Sequence, residues 1–298
     1  LSILRMVSLL EEAGLPAGTI NVINGSGGVT GAALAASPNI DRIAFTGGGA
    51  TARQVMAAAC EHLTPVHFEL GGKSGNIVFD DANFERAVDG SLVNIFSNSG
   101  QICIAGSRIL VQRGIAERFI DAFVARTRSL IIGSPLDPTT EVGPMAFKAH
   151  QQRVLDHIAR ATSEGATLLC GGEAPTNLGG GYFIAPTVFQ VKSNDLALCQ
   201  EEVFGPVVSI IVFDEEPEVL ALANDVPYGL AAYFYSQDLK QIYRVSEALE
   251  YGMVGINEGL ISNPVAPFGG VKQSGLGREG GHQGLDEYLE EKYVCMKI

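Results

Sequence analysis

Two side chains that can do chemistry stand at the ends of one stretch of this chain. A carboxylate, Glu69, precedes a glycine pair in Phe68-Glu69-Leu70-Gly71-Gly72-Lys73-Ser74. A thiol, Cys103, lies in the glycine-flanked run Gly100-Gln101-Ile102-Cys103-Ile104-Ala105-Gly106. A carboxylate at a turn can serve as a general base, and a cysteine in an open loop can serve as a sulfur nucleophile. Taken singly, each also has a plainer explanation. A lone cysteine is commonly a small buried hydrophobe, and a glutamate at a strand end is commonly a solvated charge. Three further groups carry polar or aromatic residues in glycine-rich settings: Phe45-Thr46-Gly47-Gly48, Glu201-Glu202-Val203-Phe204-Gly205-Pro206, and Ser262 followed by Pro267-Phe268-Gly269-Gly270 through Arg278-Glu279.

These groups need elements to hold them. Ile3, Leu4, Met6, Val7, Leu9 and Leu10 recur at helical spacing, and Gly14 with Pro16 ends the helix. Thr19 to Ile23 alternates like a short strand, and Asn24 to Gly28 turns into a helix near Val29 to Ala36. Asp41 to Phe45, Val66 to Leu70, Asn76 to Phe79, Ile109 to Gln112, Thr167 to Cys170 and Val207 to Phe213 read as further strands. Helices are expected from about Ala50 to Glu61, from a cap at Asp80 to Asn83 up to Phe96, from Ala116 to Ser129 and from His150 to Glu164. Strand, glycine turn and helix in alternation predict an α/β fold with a parallel sheet and crossover helices. Gly25-Ser26-Gly27 is followed by Thr30 where the dinucleotide fingerprint requires glycine, so that fingerprint is not met.

Composition narrows the function. Of 298 residues, 46% are hydrophobic and 18% charged, as in a well-buried enzyme. The formal net charge of −13 repels phosphate backbones and argues against nucleic-acid binding. Five widely spaced cysteines, with no C-x-x-C pair, argue for a reducing compartment and against a disulfide framework or structural zinc. The five histidines form no metal-ligand spacing, so no metal is expected. No apolar run reaches the length of a membrane span, and a cytoplasmic protein is the expectation. The sequence opens on Leu1 directly inside a helix, which reads as a piece of a longer chain.

The wording around Glu69 and Cys103 resembles the aldehyde dehydrogenase superfamily over essentially the whole sequence. In that family the Glu-Leu-Gly-Gly-Lys glutamate and the Gly-Gln-x-Cys cysteine form the catalytic pair. The resemblance implies an aldehyde dehydrogenase-like fold in three parts: residues 1–70 as part of a Rossmann-like dinucleotide domain, 71–272 as the catalytic domain, and 273–298 as a return helix and oligomerisation strand. It implies NAD or NADP as cofactor, with Gly47, Gly48 and Leu70 beside the dinucleotide. Glu202 would accept the nicotinamide ribose hydroxyls, and Phe204 would pack beside the nicotinamide. It also implies a homodimer or homotetramer assembled through Tyr293 to Ile298.

The C-terminal text, from Gly255 to Glu279 and on to Leu285-Asp286-Glu287-Tyr288-Leu289-Glu290, is most similar to the succinate-semialdehyde dehydrogenase branch. By that match Ser262 helps bind a distal carboxylate and Phe268 lines the substrate pocket. Three positions depart from the pattern. Gly48 replaces a serine, and Ala52 a glycine. Ser97 stands where that branch carries an arginine, and a neutral serine cannot supply the bidentate, charge-assisted bonds of a guanidinium. A semialdehyde is therefore the favoured substrate, with a neutral or aromatic aldehyde as the alternative. Two other functions remain open on the residues alone: a non-catalytic fragment that only assembles, and a cysteine hydrolase built on Cys103.

Overall fold

The large, mostly parallel sheet arises from strands that are apolar on both faces. The structure, a computed structural model, describes residues 1–298. Its strands are β1 (Ile43–Gly47), β2 (Val66–Leu70), β3 (Gly75–Val78), β4 (Arg108–Gln112), β5 (Thr167–Cys170), β6 (Thr187–Gln190), β7 (Val207–Phe213), β8 (Tyr228–Gly229), β9 (Ala231–Tyr235), β10 (Met253–Ile256), β11 (Val271–Lys272) and β12 (Gly275–Leu276). Seven of them form one sheet in the order β10-β9-β3-β4-β7-β6-β5, and only β5 runs antiparallel to its neighbour.

Successive side chains on a strand face opposite sides, and the core divides accordingly. Ile77, Leu110, Phe189, Ile211 and Phe234 pack on one face against Val154, Ile158, Val219 and Val245 from helices Lys148–Ser163, Glu216–Asn224 and Leu239–Ala248. Val78, Ile109, Val111, Val208 and Ile210 pack on the other against Val88, Leu92, Phe119 and Phe123 from helices Phe84–Phe96 and Arg113–Ser129. Asn83 caps the first of these as expected, its side chain accepting from Arg86 N at 3.1 Å. A second, three-stranded sheet has the order β1-β2-β12, with β12 antiparallel to β2.

The chain separates into two compact units, Leu1–Ile43 with Ala50–Val66, and Ala44–Gly49 with His67–Ile298. In the first, helix Ser2–Glu12 leaves Leu4, Met6, Leu9 and Leu10 exposed, and Thr19 to Ile23 is exposed and forms no strand. The turn at Gly27–Gly31 is a π-helical turn that continues into helix Ala32–Ala35. His67–Leu70 of β2 and the Gly71–Gly72 turn fall in the second unit together with the strands of the large sheet. Residues Tyr293 to Ile298 are exposed and carry no strand. No helix is long and apolar enough to cross a membrane.

Candidate active site

Three loops feed the amino ends of three neighbouring strands. Gly71 to Ser74 leads into β3, Cys103 to Ser107 into β4, and Glu202 to Pro206 into β7. Because β3, β4 and β7 are adjacent and parallel, the loops lie side by side at the strand spacing of about 4.8 Å. The loops that carry Cys103 and Glu202 thus gather at the amino edge of the sheet. Parallel α/β sheets more commonly bind ligands at the carboxyl edge.

The cysteine loop is tied down on every side. Asn98, Ser99 and Gly100 are consecutive left-handed residues, at φ 50°, 58° and 71°, and they reverse the chain after helix Phe84–Phe96. Ser99 Oγ donates to Gly143 O at 2.9 Å, and Ala146 N donates to Gln101 Oε1 at 2.9 Å. Beyond the cysteine, Tyr233 OH donates to Ile104 O at 2.9 Å, and Gly106 N donates to Asn94 Oδ1. Gly72 packs against the Cys103 carbonyl, where a Cβ would come to 3.0 Å. Cys103 itself is half-buried.

Glu69 ends β2 and is 4% exposed. The C-terminal motif holds its strand through Ser274, whose backbone carbonyl accepts from Leu70 N at 2.9 Å. The Ser274 hydroxyl donates to Gly71 O at 2.8 Å and accepts from Gly229 N at 2.9 Å. Glu69 Oε1 pairs with His67 Nε2 at 3.2 Å, while Oε2 has no protein partner.

Glu69, Leu70, Gly71, Cys103, Glu202, Phe204, Thr46, Gly47 and Gly48 line a single cleft of about 610 Å³. Glu202 Oε1 accepts from Gly72 N at 3.2 Å, and its other oxygen lies over Gly71, where a Cβ would come within 2.1 Å. Phe204 adopts φ 55° and is exposed to the cleft. The same cleft takes in His150, Arg153 and His157 from helix Lys148–Ser163. His150 donates from Nε2 to Phe204 O at 2.7 Å, and its Nδ1 accepts from Arg153 at 3.2 Å. Both ring nitrogens are thereby engaged, which leaves His150 no free nitrogen to serve as a base for Cys103.

Burial sets the protonation states. It pushes the Glu69 carboxyl up to about 7; the His67 hydrogen bond pulls it down, and the Glu279 charge raises it further. Burial also pushes the Cys103 thiol up, and the carboxylates of Glu202 and Glu69 add to that. Glu202 is held up by burial against the Gly72 N–H and the charge of Lys73. Lys73 is fully buried with no partner for Nζ, and burial brings it down to about 8. Burial thus favours the protonated form of the Cys103 thiol, on the cleft that Glu69 also lines.

Phe268, like Ile102 and Cys103, packs against the apolar cluster of Ile104, Leu230, Ala231 and Tyr233, and it is not among the residues that line the cleft. Ser262 is exposed on the loop before Phe268 and does not line the cleft. Ser97 is half-buried at the end of helix Phe84–Phe96. Arg108 is fully buried and spends its guanidinium on Lys73 O, Asn194 Oδ1, Leu222 O, Ala223 O and Tyr251 OH, so it holds the fold and offers nothing to a ligand.

Sequence reading missed four residues here. His67 stands two positions before Glu69 on a strand, which places both on one face. His150, Arg153 and His157 follow i, i+3, i+7 spacing on one helix face. Both signals are visible in the sequence, but they are common enough to go unremarked without a neighbour to give them meaning.

Residues 1–294 match the family model described as the aldehyde dehydrogenase family. A mitochondrial succinate-semialdehyde dehydrogenase of Oryza sativa is 48% identical over 99% of this chain and 56% of its own length. A succinate-semialdehyde dehydrogenase (NADP(+)) of Escherichia coli is 44% identical over 100% of this chain and 61% of its own. Among solved structures, an NADP-dependent enzyme of E. coli superposes with a TM-score of 0.96 at 43% identity, covering 100% of this chain and 61% of that one. A betaine aldehyde dehydrogenase of Staphylococcus aureus in complex with NAD+ gives 0.96 at 42%, covering 99% and 59%. The chain therefore spans less than two thirds of the length of these relatives. With its fold, its motifs and nearly its whole length matched, it belongs to the aldehyde dehydrogenase family.

Proposed function

We propose that this chain carries the catalytic machinery of an NAD(P)-dependent oxidation of an aldehyde to its carboxylic acid, with a semialdehyde favoured. The observation that carries the reading is the one cleft lined by Cys103, Glu69, Glu202 and Phe204. The Cys103 thiol adds across the aldehyde C=O, its sulfur bonding the carbon and a proton reaching the carbonyl oxygen as the thiol proton is given up, giving a thiohemiacetal. A bound nicotinamide supplies the hydride acceptor in that cleft. Glu69 then deprotonates a water, which attacks the resulting thioester, releases the acid and restores the thiol.

The residues present fit the nicotinamide end of such a cofactor. A carboxylate oxygen of Glu202 lies over side-chain-free Gly71, open to two ribose hydroxyls, and Phe204 offers an exposed ring beside it. Gly47, Gly48 and Leu70 line the same cleft and would lie along the dinucleotide. Phe268, which packs against the same apolar cluster as Cys103, would wall the substrate side, while Ser262, exposed outside the cleft, is given no contact with the aldehyde. The names of the semialdehyde dehydrogenases among the relatives support this substrate class. The five free thiols suit a reducing cytoplasm, and exposed Tyr293, Val294, Met296 and Ile298 suit assembly as a dimer or tetramer.

The test compares wild type with Cys103→Ser for NAD+- and NADP+-linked oxidation of succinate semialdehyde. It uses this chain and, alongside, this chain joined to the N-terminal part of the E. coli relative. Loss of turnover in the serine variant, with a Cys103-linked acyl group found by mass spectrometry in wild type, is expected. Undiminished turnover in Cys103→Ser would sink the reading.

A further inference from the structure

His67 and Glu69 are both nearly inaccessible, at 1% and 4% exposure, and face the same side of β2. Their Nε2–Oε1 distance is 3.2 Å. The remaining polar atoms of the pair, His67 Nδ1 and Glu69 Oε2, have no protein partner. A buried carboxylate that accepts a single hydrogen bond has one oriented oxygen and one free oxygen.

The pair is also boxed in by backbone. Gly277, at φ +83°, lies against the ring edge, where a Cβ would stand 3.1 Å from His67 Cδ2. Gly269, at φ +155°, lies against the carboxylate, where a Cβ would stand 2.9 Å from Glu69 Oε1. Two glycines from the C-terminal motif thus leave room for an imidazole and a carboxylate side by side. The other charged or titratable groups around the pair are Glu279 and Arg278 from the same segment, Cys103 across the cleft, and Glu287, whose carboxylate also lies against Gly277 on the His67 side and accepts from Arg278 N at 3.3 Å.

We infer that His67 is a positioning residue for Glu69: its Nε2–H fixes one carboxylate oxygen and leaves Oε2 as the oxygen that takes the proton from water. This rests on the general-base role proposed for Glu69. The imidazole has two effects. It locks the carboxylate rotamer, and it stabilises the ionised form in a site where burial works against ionisation. A residue of similar size without a donor would keep the packing and lose both.

The experiment titrates the 298-residue chain by NMR, with glutamate side-chain carboxyls labelled in 13C and histidine rings in 15N. Glu69 is assigned by the signal lost in Glu69→Gln. In wild type the Glu69 carboxyl is expected to titrate near pH 7, and the His67 Nε2 resonance to shift in step with it. His67→Phe should raise the Glu69 midpoint by roughly one pH unit, the worth of one hydrogen bond to a charged group. His67→Gln, which keeps an N–H donor, should stay within a fraction of a unit of wild type. An unchanged midpoint in His67→Phe, or equal shifts in the two variants, overturns the inference. If the phenylalanine variant does not fold, the wild-type ring decides: a His67 Nε2 signal indifferent to Glu69 ionisation overturns it equally. Neither aldehyde nor dinucleotide is needed. A fully active Glu69→Gln would therefore refute the general-base role while leaving the pairing intact, and the two failures are distinguishable.

Discussion

Gly100 and Gly205 meet backbone to backbone: a Cβ on Gly100 would stand 2.1 Å from the Gly205 carbonyl oxygen. That approach joins the loop of Cys103 to the loop of Glu202, and so sets the thiol beside the residue proposed to hold the cofactor. Gly100→Ala meets main chain, which cannot rotate out of the way, and it also places a side chain at φ +71°. The expected cost is on the order of 3 kcal/mol in urea unfolding, with a changed rate of Cys103 alkylation. Wild-type stability and alkylation together would contradict the role given to this contact.

Gly71→Ala tests the opposite case, a clash with a movable side chain. The new methyl would fall 2.1 Å from Glu202 Oε2, and the carboxylate can swing away. Stability should change little, while the affinity for NAD(P)H, followed by its fluorescence, should fall roughly 10- to 100-fold, the worth of charge-assisted hydrogen bonds. Unaltered affinity would remove Glu202 from the cofactor site.

Glu69 carries its function at a cost in stability. Its folded-state proton affinity lies above the unfolded value of 4.5, near 7, so its contribution is fully present below pH 4.5 and is lost as pH rises through about 7. The loss is on the order of 3 kcal/mol. Glu69→Gln should therefore match wild type in thermal unfolding at acid pH and exceed it at pH 8. A glutamine variant less stable than wild type at pH 8 would show that the buried carboxylate is compensated in some other way.

On the general-base role proposed for Glu69, the same ionisation would govern turnover. Thioester hydrolysis should rise with pH through about 7, and Glu69→Gln should slow it roughly 100- to 10,000-fold and flatten that rise. Single-turnover measurements separate this step from acylation. A pH dependence that survives in Glu69→Gln would assign it to Cys103 instead.

Arg108 is expected to matter for folding alone. Arg108→Met takes the donor away from Lys73 O and Asn194 Oδ1 in the core, while Leu222 O keeps Asn194 Nδ2 and Ala223 O keeps Tyr251 OH. A loss on the order of 3–5 kcal/mol in urea unfolding is expected. A loss below about 1 kcal/mol would mean that the buried network repacks freely.

Much of the fold was legible in the sequence because its signals are local. The short, largely apolar runs Val66–Leu70, Thr167–Cys170 and Val207–Phe213 mark strands at those bounds, and the Asn83 cap marks the start of helix Phe84–Phe96. Helix Lys148–Ser163 and helix Gly49–Cys60 begin within two residues of expectation. Thr19 to Ile23 alternates equally well and forms no strand. A strand exists only when a neighbour takes its backbone N–H and C=O groups, and no pattern within five or six residues says whether that neighbour is present.

The sequence by itself determined which side chains could do chemistry: Glu69 before its glycine pair, Cys103 in its loop, and Glu202 and Phe204 before a glycine and a proline. Only the tertiary structure decided that they share a cleft. That sharing depends on β3, β4 and β7 being neighbours in the sheet, on Gly100 reaching Gly205, and on Ser274 returning to clamp Gly71. It also gave His67 a partner and left Ser262 outside the cleft. The reason is that strand order and long-range contact are set by burial summed over the whole core. Residue type and spacing act only over a few positions of the chain.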